Sequence, residues 1–177
     1  MDPEHDAYGQ LLRDHVDGEA GREILERDDG LVSVAPPAER YFAVREEWSP
    51  REQTAIERAE GRVLDVGCGA GRVALALDTE VVGIDVSPGA LGVSRDRGVD
   101  ARELDVTDAA QLEGEFDTVV MFGNTFGLVG TGERAPRVLD ALARVTTDDA
   151  RILADTRDPH ATDDAVHREY HDLNRRR

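Results

Sequence analysis

The chain has 177 residues, of which 38 are Asp or Glu and 21 are basic, for a net charge of −17. That length suits one domain with a single buried core, and a charge so negative repels phosphate backbones and argues against nucleic-acid binding. No apolar run approaches the roughly 20 residues of a membrane helix, the acidic start Met1-Asp2-Pro3-Glu4-His5-Asp6 lacks the makings of a secretory signal, and the single cysteine, Cys68, excludes an internal disulfide or a Cys-based zinc cluster, so a cytoplasmic domain is expected.

Residues 6–27 read as a helix, with Leu12, Val16, Ala20 and Ile24 spaced by four along one face. An irregular stretch from Asp28-Asp29-Gly30 to Pro36-Pro37 follows. Ser49-Pro50-Arg51-Glu52 is a helix start, in which the Ser hydroxyl caps, Pro suits the first position and Glu completes a capping box. That helix is expected to end near Glu60, before Gly61.

Strands and helices then alternate. Strands are predicted over residues 62–66, 81–85, 99–104, 116–122 and 151–155. Helices are predicted over 70–77, from Ser87-Pro88, over 134–145 and over 162–174. This alternation, with short connections, specifies an α/β fold with a doubly wound parallel sheet of five strands, covered on both faces. Ligands of such sheets bind beyond the carboxyl ends of the strands, near the point where strand order reverses.

The first of these strands runs into Asp65-Val66-Gly67-Cys68-Gly69-Ala70-Gly71-Arg72. Its glycines permit a tight turn and a close backbone approach to a ligand. A dinucleotide fingerprint would need its third glycine at position 72, which is Arg72, and a Walker loop would need a Lys, which the chain lacks. Asp65, Asp85 and Asp105 recur every 20 residues, each at or just past a strand end. Three such carboxylates can accept hydrogen bonds from a cationic amine, a ribose diol and an exocyclic amine. A phosphate-bearing ligand suits them less.

With these motifs in order, residues 40–160 resemble the class I S-adenosylmethionine-dependent methyltransferases. Leu64-Asp65-Val66-Gly67-Cys68-Gly69-Ala70-Gly71 is similar to that family's first motif, Gly83-Ile84-Asp85-Val86-Ser87 to its second and Leu104-Asp105-Val106 to its third. Phe116-Asp117-Thr118-Val119-Val120 resembles its fourth strand. The resemblance implies a Rossmann-like fold, S-adenosyl-L-methionine as cofactor and methyl transfer as activity. Gly67, Gly69 and Gly71 would pass beneath the methionine part, with Cys68 in the same turn as a small buried residue and not a nucleophile. Asp65 would hold the amino group, Asp85 with Val86 the ribose, and Asp105 with the Val106 backbone the adenine. Met121, Phe122 and Gly123 would line the cofactor from the fourth strand.

Methyl transfer from a sulfonium chiefly needs the acceptor in line, close and dry, and no catalytic residue stands out. The loop Gly123-Asn124-Thr125-Phe126-Gly127 lacks the (Asn/Asp)-Pro-Pro-aromatic tetrapeptide by which the family's nucleic-acid and protein amide methylating members hold an amide or amine. It resembles the corresponding loop of small-molecule methyltransferases, so a small-molecule acceptor is expected. Asn124, Tyr41 and Trp48 are weaker candidates for contacting it. Tyr41, Phe42 and Trp48 belong to residues 1–48, read as a helical arm or lid ahead of a cofactor domain at 49–177. His160, His167 and His171 follow the fifth strand, where a general base or a metal pair could stand. Without a third ligand no metal site is assigned. Arg175-Arg176-Arg177 reads as a solvated terminus.

Two features concern context. All 21 basic residues are Arg and Asp outnumbers Glu by 22 to 16, a balance expected of a salt-accumulating halophile. The family sheet has seven strands, yet the 22 residues after Asp155 read as loop and helix. The fifth strand would then be an edge. A truncated chain is the favoured explanation, ahead of a homodimer or other partner covering that edge and of a naturally short variant. The alternative to an enzyme is a non-catalytic binding or assembly module that needs a partner to complete its sheet.

Overall fold

The computed structural model describes residues 3–19, 22–35, 37–156, 158, 161 and 163–174. The first helix, α1 (Ala7–Val16), is half the predicted length. It ends at the Asp17 cap, and Gly18 follows with φ 77°, a conformation that terminates helices. The four-residue spacing misled, because Leu12 is fully buried while Val16 and Ile24 are exposed; Ala20 lies outside the described residues. Ile24 instead opens a short antiparallel hairpin of β1 (Ile24–Glu26) and β2 (Val32–Val34).

Helix α2 (Pro50–Ile56) has the predicted capping box: Glu52 N–H donates to Ser49 Oγ at 3.2 Å, and Ser49 N–H to Glu52 Oε2 at 3.1 Å. It stops four residues early, where Arg58 and Ala59 N–H tighten into bonds with Ala55 and Ile56 three residues back.

The main sheet contains β3 (Val63–Val66), β4 (Val81–Asp85), β5 (Asp100–Glu103), β6 (Phe116–Met121) and β7 (Thr146–Ala154). All pairings are parallel, in the order β5-β4-β3-β6-β7. Helices α3 (Pro88–Asp96) and α4 (Arg134–Ala143) complete the crossovers β4–β5 and β6–β7, and α5 (Ala165–Asn174) follows the sheet. The predicted helix at 70–77 is instead a run of turns ending in a 3-10 turn at Ala74–Ala76. Gly71, at φ 77°, sits where its first turn would have to form and is incompatible with right-handed helix there.

The inner strands bury both faces, as parallel sheets do. Leu64, Val82, Ile84, Val119 and Met121 pack with Val138, Ala141 and Leu142 of α4; Val63, Val120 and Leu153 pack on the other face with Trp48 and Ile56. Strand β7 starts five residues before the prediction and carries a register shift opposite Phe116 and Thr118. Its Thr146-Thr147-Asp148-Asp149 entry lacks any apolar signal, because it lies at the edge of the sheet. Among the described residues β7 pairs with β6 alone. No described helix is long and apolar enough to cross a membrane.

Candidate functional site

The strand order reverses between β3 and β6, and there the carboxyl ends of the strands open a trough. One half, of about 520 Å³, is lined by Asp65, Gly67, Cys68, Gly69, Phe122 and Gly123, together with Tyr8, Tyr41 and Asp155. The other, of about 540 Å³, lies over Asp85, Val86, Ser87, Asp105, Val106 and Arg134. Tyr8, Tyr41, Gly67, Gly123, Asn124 and Thr125 border both halves.

The glycine turn makes the floor. Gly67 N–H (2.8 Å) and Cys68 N–H (3.0 Å) donate to Ile84 O and tie the turn to β4. Gly67 has φ 72°, and a Cβ on it would sit 2.7 Å from Thr125 Cγ2. Only glycine lets the loop after β6 approach this closely.

The three periodic acids occupy different environments. Asp65 is 2% exposed, and its Oδ2 has no hydrogen-bond partner among the described residues. Burial first, then the charge of Asp85, push its carboxyl up to about 7, with Arg72 opposing. Such a carboxylate is costly unless a cation meets it. Asp85 is committed to backbone: Oδ2 accepts Gly69 N–H at 2.9 Å, and Oδ1 accepts Val86 and Ser87 N–H at 2.7 and 3.0 Å. It thereby locks the glycine turn to the start of α3. Asp105 caps the 3-10 helix Val106–Gln111 through Thr107 and is paired with Arg134 at 3.2 Å. Burial raises its carboxyl, but the Thr107 and Arg134 hydrogen bonds outweigh burial and hold it below the ordinary value.

Three predicted residues lie off the trough walls. Met121 is fully buried in the core beneath it. Gly71 is turned toward Ser94 and Val99. Trp48 is 4% exposed, donates from its indole to Ala43 O at 3.0 Å and lies under the Arg72 guanidinium, so it anchors the segment before α2. Tyr41 does border the trough, held by Arg40 and Glu23. Asn124 adopts φ 69°, unusual outside glycine. That turn is fixed by Asp155, whose oxygens accept Gly123 N–H at 2.9 Å and Asn124 N–H at 2.6 Å.

His167 and His171 stand elsewhere. Arg27 approaches His167 Nδ1 at 3.3 Å; Arg has only donors, so that nitrogen accepts and the ring proton lies on Nε2, 3.2 Å from His171 Nε2. The pair thus spends on Arg27 and on itself the lone pairs that a metal would need. The described residues include no cluster of three metal-ligating groups. His160 and Arg175-Arg176-Arg177 lie outside the described residues.

Asp155, Tyr8 and Arg134 were missed from sequence. For Asp155 a signal existed, since it is a further Asp closing a predicted strand. Tyr8 and Arg134 reach the site through tertiary packing and carry no local mark.

A parallel sheet whose switch point opens onto a glycine turn and strand-end carboxylates defines a nucleoside-cofactor-binding α/β domain. Residues 63–149 match a family model described as a methyltransferase domain. The chain is 30% identical to a SAM-dependent methyltransferase from Bacteroides fragilis solved with S-adenosyl-L-homocysteine. That match has a TM-score of 0.81 and covers 94% of this chain and 71% of that one. It is also 41% identical over 75 residues to the ubiquinone biosynthesis O-methyltransferase of Dechloromonas aromatica (strain RCB), covering 37% of this chain and 32% of that protein, so the match spans about a third of that relative's length. A sugar N-methyltransferase from Streptoalloteichus sp ATCC 53650, at 21% identity, TM-score 0.53 and coverage of 68% and 51% of the two chains, shares the fold. The chain belongs to the S-adenosylmethionine-dependent methyltransferases, whose cofactor is S-adenosylmethionine.

Proposed function

We propose that this chain transfers the methyl group of S-adenosylmethionine to a small molecule by in-line displacement. The observation that carries the reading is the buried Oδ2 of Asp65 beneath the glycine turn, without a hydrogen-bond partner among the described residues, an arrangement that suits a cationic amine. In this reading Asp65 holds the amino group of the cofactor, and the backbone of Gly67, Cys68 and Gly69 underlies its methionine part. Asp85 and Val86 take the ribose. Asp105 and the Val106 backbone take the adenine, whose amino group would share Asp105 with Arg134 or displace it. When bound, the cofactor supplies an electrophilic methyl on a sulfonium, which needs no acid to leave. Phe122 and Gly123 shape the wall, Tyr8 and Tyr41 exclude water, and Asn124 orients the acceptor.

Residues 1–48 act in this reading as the arm that closes the trough and residues 49–177 as the cofactor domain. A second copy of the chain, or further strands, would cover the β7 edge. The absence of Lys and the excess of Asp support a cytoplasmic home in concentrated salt.

Calorimetry in molar KCl tests the reading. S-adenosylmethionine and S-adenosylhomocysteine should both bind, and Asp85→Ala should weaken binding by about 100-fold, the effect of losing a charge-assisted hydrogen-bonding group. A folded wild-type chain that binds neither would overturn it.

A further inference from the structure

The N-terminal helix is joined to the cofactor loop by one buried carboxylate. Asp6 is 2% exposed, although it lies at the start of α1 in a chain covered with solvated acids. Its Oδ1 accepts the Gly9 N–H of α1 at 2.9 Å, and its Oδ2 the Gly89 N–H of α3 at 2.8 Å. Ser87 Oγ–H lies 2.7 and 2.9 Å from the two oxygens. A single side chain therefore caps two helices, satisfying donors that each N-terminus leaves open and facing both positive helix ends.

The helices cross at a glycine pair that allows this sharing. A Cβ on Gly9 would lie 2.7 Å from Gly89 Cα, and a Cβ on Gly89 would lie 2.7 Å from Gly9 Cα. Any side chain at either position would part the helices and move one N–H away from Asp6. Burial alone would raise the Asp6 carboxyl, but hydrogen bonds from Gly89, Ser87 and Gly9 and the charge of Arg13 hold it below its ordinary value.

Both ends of this joint lead into the trough. Ser87 is two residues beyond Asp85 and shares its loop, since Asp85 Oδ1 accepts the Ser87 N–H. Tyr8 is two residues beyond Asp6. Its ring packs edge-on against Tyr41 with centroids 5.1 Å apart, and its hydroxyl stands 2.5 Å from where a Cβ on Gly69 would be. It borders both halves of the trough.

We infer that Asp6 is a positioning residue of the cofactor site: by capping α1 and α3 together it holds Tyr8 over Gly69 and sets the Asp85–Ser87 loop as one unit with it. The inference rests on the cofactor reading given under Proposed function. Asp6 touches no ligand and acts through Tyr8 and Ser87. Ligand binding and docking of the N-terminal helix are then thermodynamically linked, each strengthening the other.

The test uses the full chain in molar KCl, with S-adenosylhomocysteine as probe, at a temperature well below the unfolding midpoint of every variant. Asp6→Asn keeps the shape but turns an amide N–H₂ toward backbone donors. It should weaken binding about tenfold while far-UV circular dichroism stays that of the wild type. Combined with Tyr8→Phe, its effect should be less than the sum of the two, because both changes act on the same contact. Hydrogen exchange in the unmutated chain gives a readout that needs no variant to fold: the ligand should slow exchange over residues 7–16 by about tenfold. An Asp6→Asn chain that melts earlier yet binds as tightly as the wild type, or exchange over residues 7–16 that ignores the ligand, overturns the inference alone. A wild-type chain that binds neither S-adenosylmethionine nor its demethylated product overturns the cofactor reading and this inference together.

Discussion

Binding of the cofactor should depend on pH through one residue, Asp65. Its carboxyl is pushed up to about 7 by burial and by Asp85. A cationic amine can pair only with the ionised form, so the apparent dissociation constant is the intrinsic one multiplied by one plus the ratio of protonated to ionised carboxyl. At pH 6 that ratio is about ten, and at pH 7.5 it is about 0.3. The α-amino group, with an ordinary pKa of about 7.8, begins to lose its own proton at the upper end. Together these make binding about five- to tenfold tighter at pH 7.5 than at pH 6, with an optimum between the two pKa values. Binding at pH 6 should release about 0.9 of a proton, which calorimetry in buffers of different ionisation enthalpy measures directly. The same shift has a stability counterpart. Below about pH 4 the carboxyl is protonated in both folded and unfolded chains. As pH rises toward 7 only the unfolded chain ionises, so the fold loses up to about 4 kcal/mol and then no more. Asp65→Asn should abolish both effects: weaker binding without a pH profile below 7.5, and an apo chain more stable than wild type at pH 8. Equal affinities at pH 6 and 7.5 with no proton exchanged would refute the argument.

Two further outcomes concern stability. Gly92 lies inside α3 with ordinary helical backbone, and a Cβ there would meet nothing within 4 Å. Gly92→Ala should therefore stabilise by about 1 kcal/mol, seen as a rise of about 2–4 °C in the melting midpoint; a lower midpoint would mean that α3 needs its flexibility. Raising KCl from 0.1 to 1 M shortens the screening length from about 10 to about 3 Å. With a net charge of −17 the midpoint should climb across that range, and a falling midpoint in a salt titration would show that ion pairs outweigh acid repulsion.

The sheet was legible because its inner strands carry their own evidence. Leu64 to Val66, Val81 to Asp85 and Phe116 to Met121 are short, β-branched and apolar on both faces, which only a covered parallel sheet permits. The floor of the site was legible for a similar reason, since Gly67 and Gly69 are local demands of the turn. Two kinds of feature were not. Gly71 breaks the helix expected over 70–77, because one residue held at positive φ rules out right-handed helix where its first turn would form. In the N-terminal segment, an apolar spacing of four ran on past Gly18 into a hairpin whose Ile24 and Val32 face solvent. Tyr8 and Asp6 were invisible because their roles come from contacts some 60 to 80 residues away, across the α1–α3 crossing.

The three acids show how sheet position turns one residue type into three devices. Asp65 lies within the central strand β3, flanked by β4 and β6 and covered on both faces, so its carboxylate loses most of its water. Asp85 ends β4, one strand out, where its Oδ1 accepts Val86 and Ser87 N–H from the turn that follows and its Oδ2 accepts Gly69 N–H from the neighbouring glycine turn. Asp105 follows the edge strand β5 and is open enough for Arg134 to reach it. Position in the sheet and neighbours together give a buried carboxyl that resists ionisation at the centre, one bound into the backbone beside it, and at the edge one that Thr107 and Arg134 hold below the ordinary value. The first is poised to change charge near neutral pH. It is also the one beneath the half of the trough that Asn124 and Asp155 enclose. In the proposed reading, a cation arriving there offsets the cost of a buried carboxylate, which suits a positively charged cofactor better than a phosphate.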